Sequence, residues 1–221
     1  VAFGDQGGWL YGDSYGVDGA EAAFHLGEKV DVTAGYGRFN TSDYTTKVTD
    51  HDAFYARGAA KLGDGKLGVD YIKAVGEKNT TDFAGNELMG ANLTIPVSDF
   101  RVFGEYWKNT TADDNDTAWN AGLGYGKLNL KKPGSFAIDV AYNNVEQAVY
   151  FGGTGLQTNV LSYLTSAKYA ADKVTFWNAI ADVTLQKNVY LHGEYAFDVD
   201  TEGALSDKTQ DAWTVSLNYK F

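Results

Sequence analysis

The chain has 221 residues, with 26 Gly, 15 Tyr, 12 Phe and 5 Trp but only 2 Pro and no Cys, and its formal charge is −11. The missing cysteines exclude disulfides and thiolate sites, and the negative charge argues against a nucleic-acid partner. No stretch approaches the ~18 apolar residues of a transmembrane helix, but a membrane-spanning strand needs only ~9–11 residues of alternating polarity, so a barrel stays open.

In chain order, residues 1–18 hold at most a weak strand near Trp9–Tyr15. A two-residue period then predicts strands over 20–26, 30–39, 52–62, 66–75, 87–95, 100–108, 117–126, 135–144, 173–185, 189–198 and 210–221. In the fourth, Leu67, Val69 and Tyr71 alternate with Gly68, Asp70 and Ile72. In the eighth, Phe136, Ile138, Val140 and Tyr142 alternate with Ala137, Asp139, Ala141 and Asn143. In the tenth, Val189, Leu191, Gly193, Tyr195 and Phe197 alternate with Tyr190, His192, Glu194, Ala196 and Asp198. The last strand is unbroken: Trp213, Val215, Leu217, Tyr219 and Phe221 on one face, Ala212, Thr214, Ser216, Asn218 and Lys220 on the other. This alternation is expected of an all-β, antiparallel transmembrane barrel of about 12 strands, eleven of them clearly readable, forming one domain over 1–221.

The connections alternate in length. Gly27-Glu28-Lys29, Gly63-Asp64-Gly65, Pro96-Val97-Ser98-Asp99 and Gln186-Lys187-Asn188 are short, and Lys127 to Gly134 is somewhat longer. Between them lie long polar loops at 40–51, 76–86, 109–116, 145–172 and 199–209. Short turns at one end and long loops at the other are the outer-membrane pattern, with the turns periplasmic if Phe221 ends there. Sixteen acidic residues lie in and beside the long loops against six lysines, while nine basic residues lie in and beside the short turns against four acidic ones. Generally acidic loops in an acidic protein would give part of the same split. The aromatics Trp9, Tyr36, Tyr71, Tyr106, Trp119, Tyr125, Tyr142, Tyr195, Trp213, Tyr219 and Phe221 fall mostly near strand ends on the apolar face, where interface girdles belong. Trp107 and Trp177 fit neither register cleanly.

The phrase Lys131-Lys132-Pro133-Gly134-Ser135-Phe136-Ala137-Ile138 resembles a "KPGSW"-like turn and strand of the OmpM-type porins, the S-layer-homology porins of diderm relatives of Gram-positive bacteria. The segment Val32-Thr33-Ala34-Gly35-Tyr36-Gly37-Arg38-Phe39 is similar to their "GRF" strand end, and Trp213–Phe221 to their closing strand. The resemblance is at motif level, scattered over most of the chain, and implies an outer-membrane barrel. It departs from the family in two ways. The S-layer-homology module is missing, so peptidoglycan attachment does not carry over. The chain is also short for a barrel of about sixteen strands, which suggests a smaller relative or the C-terminal part of a longer polypeptide; the start at Val1, without Met or signal peptide, suits a processed chain or a fragment.

Chemistry is sparse. The histidines are His25, His51 and His192, and Ser162, His192 and Asp182 lack the spacing of a nucleophile elbow. Asp139, Asp182 and Glu194 could pair as acid and base, but opposed charges are the ordinary filling of a barrel interior. Asp113, Asp114 and Asp116 are candidate oxygen ligands for Ca²⁺, with a solvated acidic loop as the competing reading, because the Gly and distant Glu of a calcium loop are missing. Asn79-Thr80-Thr81 and Asn109-Thr110-Thr111 match a glycosylation pattern by chance in a bacterial protein. The longest loop, 145–172, carries Tyr150 to Gly155 as a flexible apolar run and helical apolar spacing over Leu161–Tyr169. It is expected either to fold into the lumen and narrow the pore or to serve as a cap or trimer contact.

These features predict a passive, weakly cation-selective porin for ions and small hydrophilic solutes, surrounded by lipid and lipopolysaccharide in a bacterial outer membrane. It is expected to be a homotrimer without cofactor, catalysis or nucleic-acid partner. The predicted pore-lining residues are Arg57, Lys61, Asp70, Arg101, Glu105, Asp139, Asp182, His192, Glu194 and Lys220, all on the polar face. The alternatives are a plugged structural or tethering barrel, a barrel hydrolase and a soluble barrel.

Overall fold

The computed structural model describes residues 16–40, 51–77, 83–150, 156–205 and 209–220. The possible strand near Trp9–Tyr15, most of loop 40–51, the Phe151–Gly155 run and Phe221 lie outside them. Eleven strands form one antiparallel sheet: β1 (Gly16–Leu26), β2 (Val30–Asn40), β3 (Asp52–Leu62), β4 (Gly65–Ala74), β5 (Glu87–Val97), β6 (Phe100–Asn109), β7 (Thr117–Gly126), β8 (Phe136–Glu146), β9 (Lys173–Gln186), β10 (Val189–Glu202) and β11 (Ala212–Tyr219). Each strand pairs with its sequence neighbour, so the connections alternate between the two ends of the sheet.

The bounds of β3 and β7 coincide with the alternation in the sequence. Two connections differ from expectation. Pro96 belongs to β5 rather than to a turn: the reversal needs only Ser98 and Asp99, with Ser98 at φ 58°, and Pro96 sits at the strand's end where a missing N–H costs little. Strand β10 runs to Glu202, through residues whose polarity reads as loop. A register shift between Phe197 and Asp200, with Asp198 at φ 54°, absorbs the irregularity, and pairing resumes as Asp200↔Thr175 through Glu202↔Lys173.

The two faces of the sheet are inverted relative to a water-soluble protein. On β11, Trp213, Val215, Leu217 and Tyr219 are 73, 59, 48 and 58% exposed, while Thr214, Ser216 and Asn218 between them are half-buried. The same holds for Leu67 and Val69 on β4, Met89, Leu93 and Ile95 on β5, and Phe136 and Ile138 on β8, all exposed. The opposite face buries Asp70, Asn92, Glu105, Asn120, Asn143, Asn178, His192 and Glu194. The two tryptophans that fitted neither register divide between the faces. Trp107 is fully buried on the polar face, its ring over Gly90, where a Cβ would come within 2.7 Å of the indole. Trp177 is on the apolar face, edge-on to Tyr142 with ring centroids 5.3 Å apart.

Within the sheet the chain packs as two compact units. The first comprises Val1–Thr94, Gly104–Trp119 and Glu146–Leu156; the second comprises Ile95–Phe103, Asn120–Val145 and Gln157–Phe221.

Candidate functional site

In the first unit the polar face carries a chain of contacts from β1 to β6. The Tyr55 hydroxyl on β3 donates to Glu21 Oε2 on β1 at 2.7 Å. Arg57 follows two residues later, with Nε 3.4 Å from Asp70 Oδ1 on β4, and Asn92 Nδ2 on β5 reaches Asp70 Oδ2 at 3.5 Å. On β6, Glu105 Oε1 accepts from Trp107 Nε1 at 2.6 Å. At the loop end, Asn109 Nδ2 donates to Asn86 Oδ1 and to the Ala148 carbonyl, tying three connections together. Lys61 stands on the same face, exposed, near the turn.

In the second unit, Arg101 on β6 and Asp139 on β8 form an ion pair across β7. Gly124 makes this possible. A Cβ there would meet Asp139 Oδ1 at 2.3 Å and Arg101 Nε at 2.5 Å, so any larger residue would stand between the charges. Arg101 Nη1 also donates to the Gly126 carbonyl at 2.8 Å. Farther along, Asp182 Oδ1 on β9 lies 2.9 Å from His192 Nδ1 on β10, and His192 Nε2 lies 3.8 Å from Glu194 Oε2. The Glu194 carboxylate accepts from Gln157 N (2.8 Å), Thr158 N (3.1 Å), Thr158 Oγ1 (2.8 Å) and Asn178 Nδ2 (3.3 Å).

Those bonds fix part of the longest loop. The segment carrying Gln157 and Thr158 leads into a 3-10 turn, Val160–Leu164, that packs on β9 and β10 and buries Val160, Leu161, Tyr163 and Leu164. The helical spacing of Leu161–Tyr169 is thus realised as one short turn. Apolar burial and a wall carboxylate together hold the segment against the polar face.

All ten residues predicted to line a pore stand on the polar face, in two groups: Arg57, Lys61, Asp70 and Glu105 in the first unit, and Arg101, Asp139, Asp182, His192, Glu194 and Lys220 in the second. Lys220 is exposed at the turn end, its backbone N–H donating to the Asn188 carbonyl. The three carboxylates considered for acid–base work do not pair with one another: Asp139 turns to Arg101, Asp182 to His192 and Glu194 to the loop. Asp182 and His192 do meet, but Ser162 is exposed in the 3-10 turn. The calcium candidates do not converge either. Asp116 Oδ2 takes Lys108 Nζ at 2.8 Å, Asp113 and Asp114 are exposed, and the described residues hold no metal-binding cluster. Sequence reasoning placed Asn143 on the polar face but offered none of the buried asparagines as a pore-lining residue. Asn92, Asn120, Asn143 and Asn178 are all at polar-face positions of the two-residue period, which is the signal that could have found them.

An antiparallel all-β sheet that buries charge and amide on one face and exposes aliphatic and aromatic side chains on the other has the build of an outer-membrane barrel wall. Among solved structures, the outer membrane channel DcaP of Acinetobacter baumannii has this fold, with a TM-score of 0.57 and 17% identity over 98% of the present chain. The chain spans 66% of that protein's length. No protein-family model and no curated protein matches the sequence.

Proposed function

We propose that the chain forms a passive outer-membrane channel for ions and small hydrophilic solutes. The observation that carries this reading is the inverted burial. Leaving Val215, Leu217 and Tyr219 in water while burying Asp70 and Glu194 would be unfavourable for a soluble protein, and is the required arrangement when the outside is hydrocarbon and the inside is wet. A sheet edge in hydrocarbon leaves backbone groups without partners at several kcal/mol each. The sheet is therefore inferred to close, directly or through further strands. The nine charged polar-face residues and His192 then line the passage, and the segment at Gln157–Leu164 narrows it. The acidic loop end, with Asp113, Asp114, Asp116, Asp198, Asp200 and Asp211, favours cations at that mouth, while the turn-end lysines moderate the preference. DcaP's description as an outer membrane channel agrees with this function and location.

A second reading is a plugged structural barrel, favoured by that same packed segment and by the full burial of Trp107 and Phe176 on the polar face. Planar-bilayer recording of the purified protein separates the two. Stepwise ion conductance is expected of the channel; a silent bilayer, with correct folding shown by circular dichroism, would overturn it in favour of the plugged barrel.

A further inference from the structure

At the turn end of the second unit, the connection between β7 and β8 reaches past β8 and is fixed to β9 and the turn beyond it. The Asn129 N–H donates to Ser135 Oγ at 2.9 Å, the Thr184 hydroxyl to the Asn129 carbonyl at 3.2 Å, and the Gly134 N–H to the Thr184 carbonyl at 2.8 Å. The Asn188 N–H then donates to the Leu130 carbonyl at 2.8 Å, and the Lys220 N–H to the Asn188 carbonyl at 2.9 Å. Ser135 and Thr184 hold polar-face positions of the two-residue period, so the connection lies on that side. These bonds make one shelf of three segments around a basin of about 860 Å³, lined among others by Lys127, Leu128, Leu130, Lys131, Lys132 and Lys220.

The shelf is cationic in a chain of formal charge −11. Lys127, Lys131, Lys132, Lys220 and, beside Asn188, Lys187 are exposed, and among the described residues none of them meets a carboxylate. Asp139 and Asp182 turn to Arg101 and His192, and Asp99 meets this end through its carbonyl, which accepts the Gly126 N–H at 2.9 Å. Between the cations, Leu128 and Leu130 are half-buried. The basin is larger than a compact anion fills and falls within the roughly 300–1,000 Å³ of sites for larger ligands.

We infer that this basin docks an acidic peptide segment of a partner protein on the turn side of the membrane. Its carboxylates meet the lysines and its apolar side chains meet Leu128 and Leu130. Charge complementarity selects such a partner, and flexible lysines follow carboxylates in varied positions where the rigid fork of Arg would not. The polar-face side sets the basin apart from the surface that carries Tyr125 and Phe136. The inference rests on the channel reading for the side of the membrane alone, and a partner docked there would stand at the turn-side exit of the passage.

The test is fluorescence anisotropy of a labelled decapeptide of Glu and Asp with two leucines, titrated with the folded protein in uncharged detergent, which needs no conduction. Saturable binding is expected, weakening as salt rises and weakened about fivefold or more in Lys131→Gln/Lys132→Gln. It should be retained in Lys131→Arg/Lys132→Arg and in Lys29→Gln/Lys168→Gln, which removes two charges outside the basin. Absence of saturable binding, or equal binding by the Lys131→Gln/Lys132→Gln protein, would overturn the site. Equal binding of a peptide with serine in place of its leucines would overturn the peptide partner in favour of a bare-anion site. Displacement of the peptide by phosphatidylglycerol in mixed micelles would assign the lysines to lipid headgroups and overturn the partner protein. Binding by a protein silent in bilayers would uphold the docking site and sink the channel reading instead.

Discussion

Replacing Glu194 by Ala should release the inner segment of the long loop. The carboxylate accepts four hydrogen bonds, three of them from Gln157 and Thr158. Hydrogen bonds to a charged group are each worth roughly 1.5–3 kcal/mol. They share one acceptor and are not additive, so the latch as a whole is worth about 3 kcal/mol. The 3-10 turn keeps its apolar contacts through Val160, Leu161 and Leu164, so the segment should open more often without unfolding the sheet. A loss of about 3 kcal/mol raises the open population roughly 10²-fold. Amide hydrogen exchange at Gln157 and Thr158 reads this directly, and single-channel conductance should rise in the same variant. Glu194→Gln, which keeps an acceptor oxygen but no charge, should fall between. Exchange at these two amides that changes less than about threefold in Glu194→Ala would refute the latch.

Other outcomes follow from the same geometry. Val215→Arg, on the exposed apolar face, should cost roughly 2–4 kcal/mol if it lies near the bilayer midplane, and Ser216→Arg much less, measured by reversible unfolding in lipid; equal costs would mean the faces are misassigned. Gly124→Ala should part Arg101 from Asp139 and cost about 1–3 kcal/mol in the same assay, whereas Gly193→Ala, whose added carbon meets only the Ala181 carbonyl at 3.9 Å, should be far milder. Neutralising Asp113, Asp114 and Asp116 together should weaken a mild cation preference, seen as a smaller reversal potential under a KCl gradient; anion preference in the unmodified protein would contradict the mouth-charge argument.

The strands were legible because each carries its own period. Trp213 to Tyr219 alternates without a fault, and the hydrogen-bonded ladder takes the same residues. The end of β10 was not legible, because Asp198, Val199 and Asp200 lose the period where a bulge lets the ladder continue. The charged side chains could be placed on a face, but their partners could not be read. That Asp139 answers Arg101 depends on the gap at Gly124, and that Glu194 answers Thr158 depends on where a distant loop settles. Both are matters of packing between separate segments of the chain, which a single strand's pattern does not encode.

The alternation of faces also bears on how such a protein reaches its membrane. Because greasy residues occupy every second position, the unfolded chain offers no continuous apolar run of the length that halts export across a lipid bilayer. On the channel reading, it would cross an inner membrane as a water-compatible thread. Only when neighbouring strands pair do Leu67, Val69, Met89 and Leu93 come together as one surface. On the channel reading, the affinity for lipid is created by assembly itself, and the chain would become a membrane protein only as it folds.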